Sequence, residues 1–126
     1  MFVVCKDFSF AAGHFICGHT GGCERLHGHN YRVRVCVEAA ELDELGMVVD
    51  FADLKAAMEE VLGPFDHRVI NDIPPFDVRN TTAELIAQFA YEELARRLDD
   101  ARIRVSRIEV RENETSFALF EPSARG

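Results

Sequence analysis

Hydrophobic and polar residues alternate with a period of two in residues 29–39 and 103–112, and recur at helical spacing in residues 51–62 and 83–98. In the first alternating stretch, Tyr31, Val33, Val35 and Val37 share one face, and Arg32, Arg34, Cys36 and Glu38 share the other. That pattern predicts a strand with one buried face. Residues 2–10 (FVVCKDFSF) are rich in β-branched and aromatic side chains and predict a first strand, paired antiparallel with the second. Leu54, Met58, Val61 and Leu62 form the stripe of a helix that Asp50 caps and Gly63-Pro64 stops. A second helix, striped by Ile86, Phe89, Ala90, Leu94 and Leu98, runs to about Asp99. Thr81 reads as its N-cap and Glu84 as the third residue of a capping box. Residues 103–112 make a third strand and 116–121 a last one, joined by Asn113-Glu114-Thr115. The order β-β-α-α-β-β predicts an α+β fold, an antiparallel four-stranded sheet with both helices on one face.

The segments between these elements differ in character. Residues 11–28 hold five glycines, at 13, 18, 21, 22 and 28, and predict a long mobile loop of the kind that carries function. Residues 40–46 form an acidic loop, and 64–80 read as irregular, broken at Pro74-Pro75. No repeat or linker divides the 126 residues, so a single domain over 1–126 is expected.

With 48% hydrophobic and 29% charged residues, the chain belongs with soluble globular proteins. Its net charge of -8 offers no broad basic surface, which excludes nucleic acid and anionic membrane as main partners. A small anionic ligand is compatible, with Lys6, Arg25 and Arg68 as a local basic set. No apolar run approaches the ~18–20 residues of a membrane span. The four cysteines, at 5, 17, 23 and 36, are not spaced like a disulfide framework, and no signal-peptide run precedes them. Free thiols in a reducing cytoplasm are expected.

Candidate chemistry concentrates in GCERLHGHNY, residues 22–31. His27 and His29 sit two apart at the entry of a strand, so their imidazoles point to one side. Gly28 between them is expected to admit a second segment at close range. His14 follows the first strand and completes a three-histidine set suited to catalytic zinc, which takes three protein ligands and keeps an open position. His19 competes for the third place, but it lies in the glycine-rich loop, and rigid elements hold metal geometry better. Cys23, four residues before His27, is open to three roles: base, nucleophile or fourth ligand. Cys5, Cys17 and Cys36 read as structural thiols. Asp66-His67 offers an imidazole fixed by a carboxylate, able to complete an acid–base set with Cys23. Glu112 falls in phase with Ile108 and Val110. It is either a frayed strand end in solvent or an anchor for a ligand with adjacent N–H donors.

FSFAAGH (8–14), CERLHGHN (23–30), VVDFADLK (48–55), FDH (65–67), NTTAE (80–84) and VRE (110–112) occur in the order and spacing of one family. Over nearly the whole chain the sequence resembles the 6-pyruvoyltetrahydropterin synthase / 6-carboxytetrahydropterin synthase family. The resemblance implies the tunnelling fold, with three sheets joined in a barrel, two trimers stacked as a homohexamer, and active sites between subunits. It implies zinc held by His14, His27 and His29, with Cys23, Asp66 and His67 as catalytic residues. Glu112 would hold the pterin ring, and Thr81 and Thr82 would make further pterin contacts. The implied substrate is 7,8-dihydroneopterin triphosphate. In the queuosine-pathway branch the product is 6-carboxy-5,6,7,8-tetrahydropterin, with loss of triphosphate and acetaldehyde. One departure stands out. Glu24 directly follows Cys23, and a glutamate in that neighbourhood resembles a folate branch that trims the side chain to hydroxymethyl. The alternatives are therefore 6-pyruvoyl formation, Glu24-dependent cleavage, and a non-catalytic zinc-containing pterin-binding protein.

Overall fold

The computed structural model describes residues 1–18 and 22–123. Two long strands, β1 (Phe2–His14) and β2 (His27–Ala39), are followed by helix α1 (Phe51–Leu62). A two-residue strand β3 (Arg68–Val69), helix α2 (Ala83–Leu98), β4 (Ile103–Arg111) and β5 (Phe117–Phe120) complete the chain. They form one five-stranded sheet in the order β3-β1-β2-β4-β5. All pairs are antiparallel except β1–β3. The four strands and two helices expected from the sequence are present. β3 is an addition, lying in the segment read as irregular and flanked by short 3-10 turns at Gly63–Phe65 and Ile70–Asp72.

The glycine-rich stretch departs from expectation at both ends. Residues 11–14 extend β1 and 27–28 begin β2, with Gly13 opposite Gly28 and His14 opposite His27. A backbone ladder continues wherever each N–H finds a partner, and here the paired glycines do not interrupt it.

Side-chain alternation fills the core. Phe10, Ala12, Tyr31, Val33, Val35 and Val37 are buried on the sheet face that receives the helices, against Leu54, Met58, Leu62, Ile86 and Leu94. Phe65, Phe76 and Phe89 form an aromatic cluster with ring centroids 5.4–6.0 Å apart. The strand IRVSRIEVR places Ile103 and Val105 at odd positions and Ile108 and Val110 at even ones, yet all four are buried. A β-bulge reconciles them. Cys36 pairs with Arg107 and Val37 with Val105, so Ser106 is the extra residue, its hydroxyl donating to the Cys36 carbonyl at 3.3 Å. The opposite sheet face carries exposed Arg32 and Arg34, with ion pairs Arg34–Asp7 at 2.8 Å and Arg104–Glu38 at 3.1 Å.

Two local expectations are corrected. Thr82, not Thr81, caps α2: its hydroxyl accepts from the Leu85 amide at 3.2 Å, which moves Glu84 to the second helical position. Thr81 is fully buried and serves another purpose. Thr82→Ala is expected to lower stability by about 1 kcal/mol, read as a shifted urea midpoint at constant m-value. Cys36, placed by periodicity on the polar face, is buried and disulfide-bonded to its cross-strand partner Cys5, with Cα atoms 4.1 Å apart.

Candidate metal centre and its surroundings

The β1–β2 register builds the site. Ala12 faces His29 and His14 faces His27 across the ladder, and alternate residues of a strand share a face. His14, His27 and His29 therefore project together from the face that also carries Tyr31. Their ring centroids are 4.6, 4.9 and 5.1 Å apart, and one ligand atom from each lies within 4.8 Å of the others. His14 is buried, His29 half-buried and His27 exposed, which leaves the cluster open on one side. His19 lies outside the described residues.

Hydrogen bonds fix two of the three imidazoles. His14 Nδ1 lies 2.9 Å from the Thr81 carbonyl and 3.0 Å from its hydroxyl, and His27 Nδ1 lies 2.9 Å from the Arg25 carbonyl. A carbonyl only accepts, so each Nδ1 carries the proton and each Nε2 presents a lone pair. His14 Nε2 is buried and has no hydrogen-bond partner among the described residues. An orphaned buried acceptor aimed at two further imidazoles is what a metal ligand looks like before its metal is added. Burial pushes the His14 imidazole below its ordinary pKa, partly offset by the bond to Thr81, and so favours the neutral form that ligates.

Glu112 lies one step beyond the last β2–β4 pair, Arg32–Arg111, which brings it alongside Tyr31 and His29. Its Oε2 is 3.9 Å from His29 Nε2. An open groove is lined there by Ser9, His29, Arg32, Glu112 and Asn113. A second groove, across β1, is lined by Ala11, Gly28, His29 and His67. His29 thus borders both. Asp66 Oδ1 accepts from the Ala11 amide and from His67 Nδ1, both at 3.0 Å, and the His67 amide donates to the Ala11 carbonyl at 2.6 Å. His67 adopts φ +59°, a left-handed conformation that costs a non-glycine residue of order 1–3 kcal/mol. The Asp66–His67 pairing expected from sequence is present, anchored to the edge of β1.

Cys23 is not a free thiol. It forms a disulfide with Cys17, and the same two residues make an isolated antiparallel bridge. Gly18 N–H donates to Gly22 O at 2.8 Å and Glu24 N–H to Ile16 O at 2.9 Å, so residues 16–18 and 22–24 lie antiparallel. That pairing brings the Cα atoms to 3.9 Å, a juxtaposition that linear spacing does not reveal. All four cysteines are bridged, against the expectation of free thiols. Glu24 Oε1 accepts from the Ile16 amide at 3.2 Å.

Two residues of the site, Asn71 and Asn80, have no signal in the sequence, and Thr81 has partners there that neither of its expected roles includes. Asn71 and Asn80 each hold the N–H and the C=O of one residue with both ends of the side-chain amide: Asn71 bonds Phe15 N and O at 3.0 and 2.9 Å, and Asn80 bonds Cys17 N and O, both at 3.0 Å. Between them the Thr81 hydroxyl donates to Phe15 O at 3.1 Å. Asn and Thr in such places read as turn and cap formers, and nothing in their spacing signals a clamp. The basic set does not gather. Lys6 pairs with Val35 and Arg68 with Ala12, six residues apart along β1, or roughly 20 Å. Among the described residues, a Cβ on Gly28 would meet only Ala12 O at 3.6 Å, an ordinary contact, so none of them makes the close approach expected there.

The profile of the family described as 6-pyruvoyl tetrahydropterin synthase matches residues 3–123. The chain belongs to this family. It is thus an enzyme of a lyase-type family with the tunnelling fold. The 6-carboxy-5,6,7,8-tetrahydropterin synthase of Haemophilus influenzae is 34% identical over 96% of this chain and 99% of its own. The enzyme of the same name from Bacillus subtilis is 34% identical over 96% of this chain and 86% of its own. Caenorhabditis elegans 6-pyruvoyl tetrahydropterin synthase superimposes with a TM-score of 0.83 at 24% identity, covering 97% of this chain and 96% of the other. No helix among the described residues is long and apolar enough to cross a membrane.

Proposed function

We propose that this protein is a zinc-dependent pterin lyase that converts 7,8-dihydroneopterin triphosphate and water to 6-carboxy-5,6,7,8-tetrahydropterin, releasing acetaldehyde and triphosphate. The observation that carries the reading is the convergence on His29. The three-imidazole cluster, the Glu112 groove and the His67 groove all meet there. The names of the H. influenzae and B. subtilis relatives supply the product.

In this reading His14, His27 and His29 hold the zinc, whose Lewis acidity makes the protons beside the substrate's side-chain hydroxyls easier to remove. Glu112 receives the adjacent N–H donors of the pterin ring through its two carboxylate oxygens. Cys23, once reduced, takes a proton from the side chain as thiolate. Asp66 holds the Nδ1–H of His67, which leaves His67 Nε2 to accept that proton and return it. Proton shifts of this kind move reducing equivalents from side chain to ring with no external redox cofactor. Thr81 and Thr82 spend their hydroxyls on His14, Phe15 and Leu85, so their contacts to pterin fall to the backbone. The protein acts as a cytoplasmic homohexamer, a dimer of trimers. β3 and β5 leave the sheet open at both edges, with Phe117 and Leu119 exposed on β5.

A second reading rests on one observation. With Cys23 bridged, Glu24 is the acid–base group beside it on the same loop. Glu24 would then direct cleavage to a 6-hydroxymethyl product. One incubation separates these readings: reduced, zinc-loaded protein with dihydroneopterin triphosphate, products read by mass. A 6-carboxy product with acetaldehyde is expected. A 6-pyruvoyl product would replace the proposed reaction with its relative, and 6-hydroxymethyl would place Glu24 in charge. No turnover by the assembled, reduced, zinc-loaded protein would leave only a binding role.

A further inference from the structure

The Thr81 side chain has no access to solvent, yet its hydroxyl bonds two polar groups, the His14 imidazole and the Phe15 carbonyl. His14 Nδ1–H is shared between its carbonyl at 2.9 Å and its hydroxyl at 3.0 Å, and that hydroxyl donates its own proton to Phe15 O at 3.1 Å. These directions are forced. A carbonyl oxygen cannot donate, so the imidazole must; the hydroxyl proton points to Phe15 O, so its lone pair faces His14. The peptide segment that follows His14 is held on either side of this junction, by Asn71 at Phe15 and by Asn80 at Cys17. His14 therefore has one permitted tautomer and one permitted ring orientation. Its unpartnered Nε2 faces His27 and His29.

We infer that Thr81 is a positioning residue for the metal centre: its hydroxyl and carbonyl together lock His14 as the Nδ1–H tautomer and aim Nε2 at the position shared by His27 and His29. The sequence placed Thr81 among pterin contacts and at a helix cap; the geometry gives its side chain to the imidazole instead. The share of this role that a side-chain substitution can remove is the hydroxyl's acceptor lone pair, since the carbonyl at 2.9 Å stays in place. Phe15 O also accepts from Asn71 Nδ2 at 2.9 Å, so loss of the Thr81 hydroxyl does not strand that carbonyl. Outer partners of metal-bound histidines typically change metal affinity by 10–100-fold when removed.

The inference rests on the metal reading above, and the experiment is arranged so that the two fail separately. Apo protein is titrated with Co(II), following the d–d absorption, with Zn(II) competition for affinity. Wild-type protein that binds no metal stoichiometrically sinks the metal reading. With wild-type binding in place, Thr81→Val is expected to weaken affinity tenfold or more. Thr81→Ser, which keeps the hydroxyl, should return it to within about threefold of wild type, well under the outer-shell range. Equal affinity in Thr81→Val, or equal losses in Val and Ser variants, would overturn the role of the hydroxyl. Thermal melts of the apo forms accompany the titrations, because a purely structural effect would track stability rather than the presence of the hydroxyl. A measurement on wild-type apo protein needs no variant at all. Long-range proton–nitrogen NMR should show His14 with a protonated Nδ1 and a pyridine-like Nε2, and the opposite tautomer would overturn the inference even if Thr81→Val fails to fold.

Discussion

Protein purified under air is expected to turn over substrate at least about a hundredfold more slowly than the same protein treated with a dithiol. The reason is the Cys17–Cys23 disulfide. A proton acceptor at this position must be a thiolate, and a disulfide sulfur has no proton to exchange and no charge. Loss of a positioned general base typically costs 10²–10⁴-fold. A dithiol reductant supplies two electrons, yields both thiols and is itself oxidised to its cyclic disulfide, so the change is reversible. Cys17→Ser should be active without reductant, since the Cys17–Cys23 disulfide can then no longer form. Cys23→Ala should be inactive under both conditions while still binding zinc. Full activity of the oxidised protein, with mass analysis confirming the bridge, would remove Cys23 from the reaction and shift attention to Glu24. The mass of the product in the oxidised state tests that directly, because only the Glu24 route predicts 6-hydroxymethyl there.

How far the sequence carried the structure depends on the range of the interactions involved. The faces of β2 are legible because Tyr31, Val33, Val35 and Val37 are buried while Arg32 and Arg34 are exposed, Cys36 being the one exception among these positions, and α1 is legible from Asp50 to Gly63 because capping and stripe agree. The parity switch between Val105 and Ile108 is also present in the residues; it is the signature of a bulge that simple alternation over 103–112 passes over. The histidine cluster was legible once β1 and β2 were taken as partners, because register alone carries His14 to His27. What stayed hidden depends on contacts between distant segments. Asn71, Asn80 and Thr81 reach the segment after β1 across 55 or more residues, and side-chain amides carry no period that betrays such a reach. The two disulfides were missed for a related reason. Cys5–Cys36 follows from the same register that gathers the histidines, but compartment reasoning argued for thiols. The choice between Thr81 and Thr82 as cap turned on a single residue, where boundary assignment is weakest.

Replacing His27 with alanine is the sharper test of the metal centre than replacing His14. His14 is buried and bonded to Thr81, so its removal opens a cavity and strands a carbonyl, and lost activity would then confound folding with chemistry. His27 is exposed, and among the described residues its side chain hydrogen-bonds just the carbonyl of Arg25, two residues away, so the fold loses little. The metal loses one of three ligands. His27→Ala should therefore melt close to wild type, carry well under one zinc per chain by elemental analysis, and lose turnover on the order of a thousandfold, as expected when several kcal/mol of Lewis-acid stabilisation are withdrawn. Excess zinc should restore part of the rate, because His14 and His29 still share a face and His14 Nε2 still needs a partner. If His27→Ala instead keeps a full complement of zinc, the metal sits elsewhere, and the convergence of the two grooves on His29 would need another occupant. If it loses zinc and keeps its rate, the metal is structural, and proton transfer by Cys23 and the Asp66–His67 pair must proceed without a Lewis acid beside them.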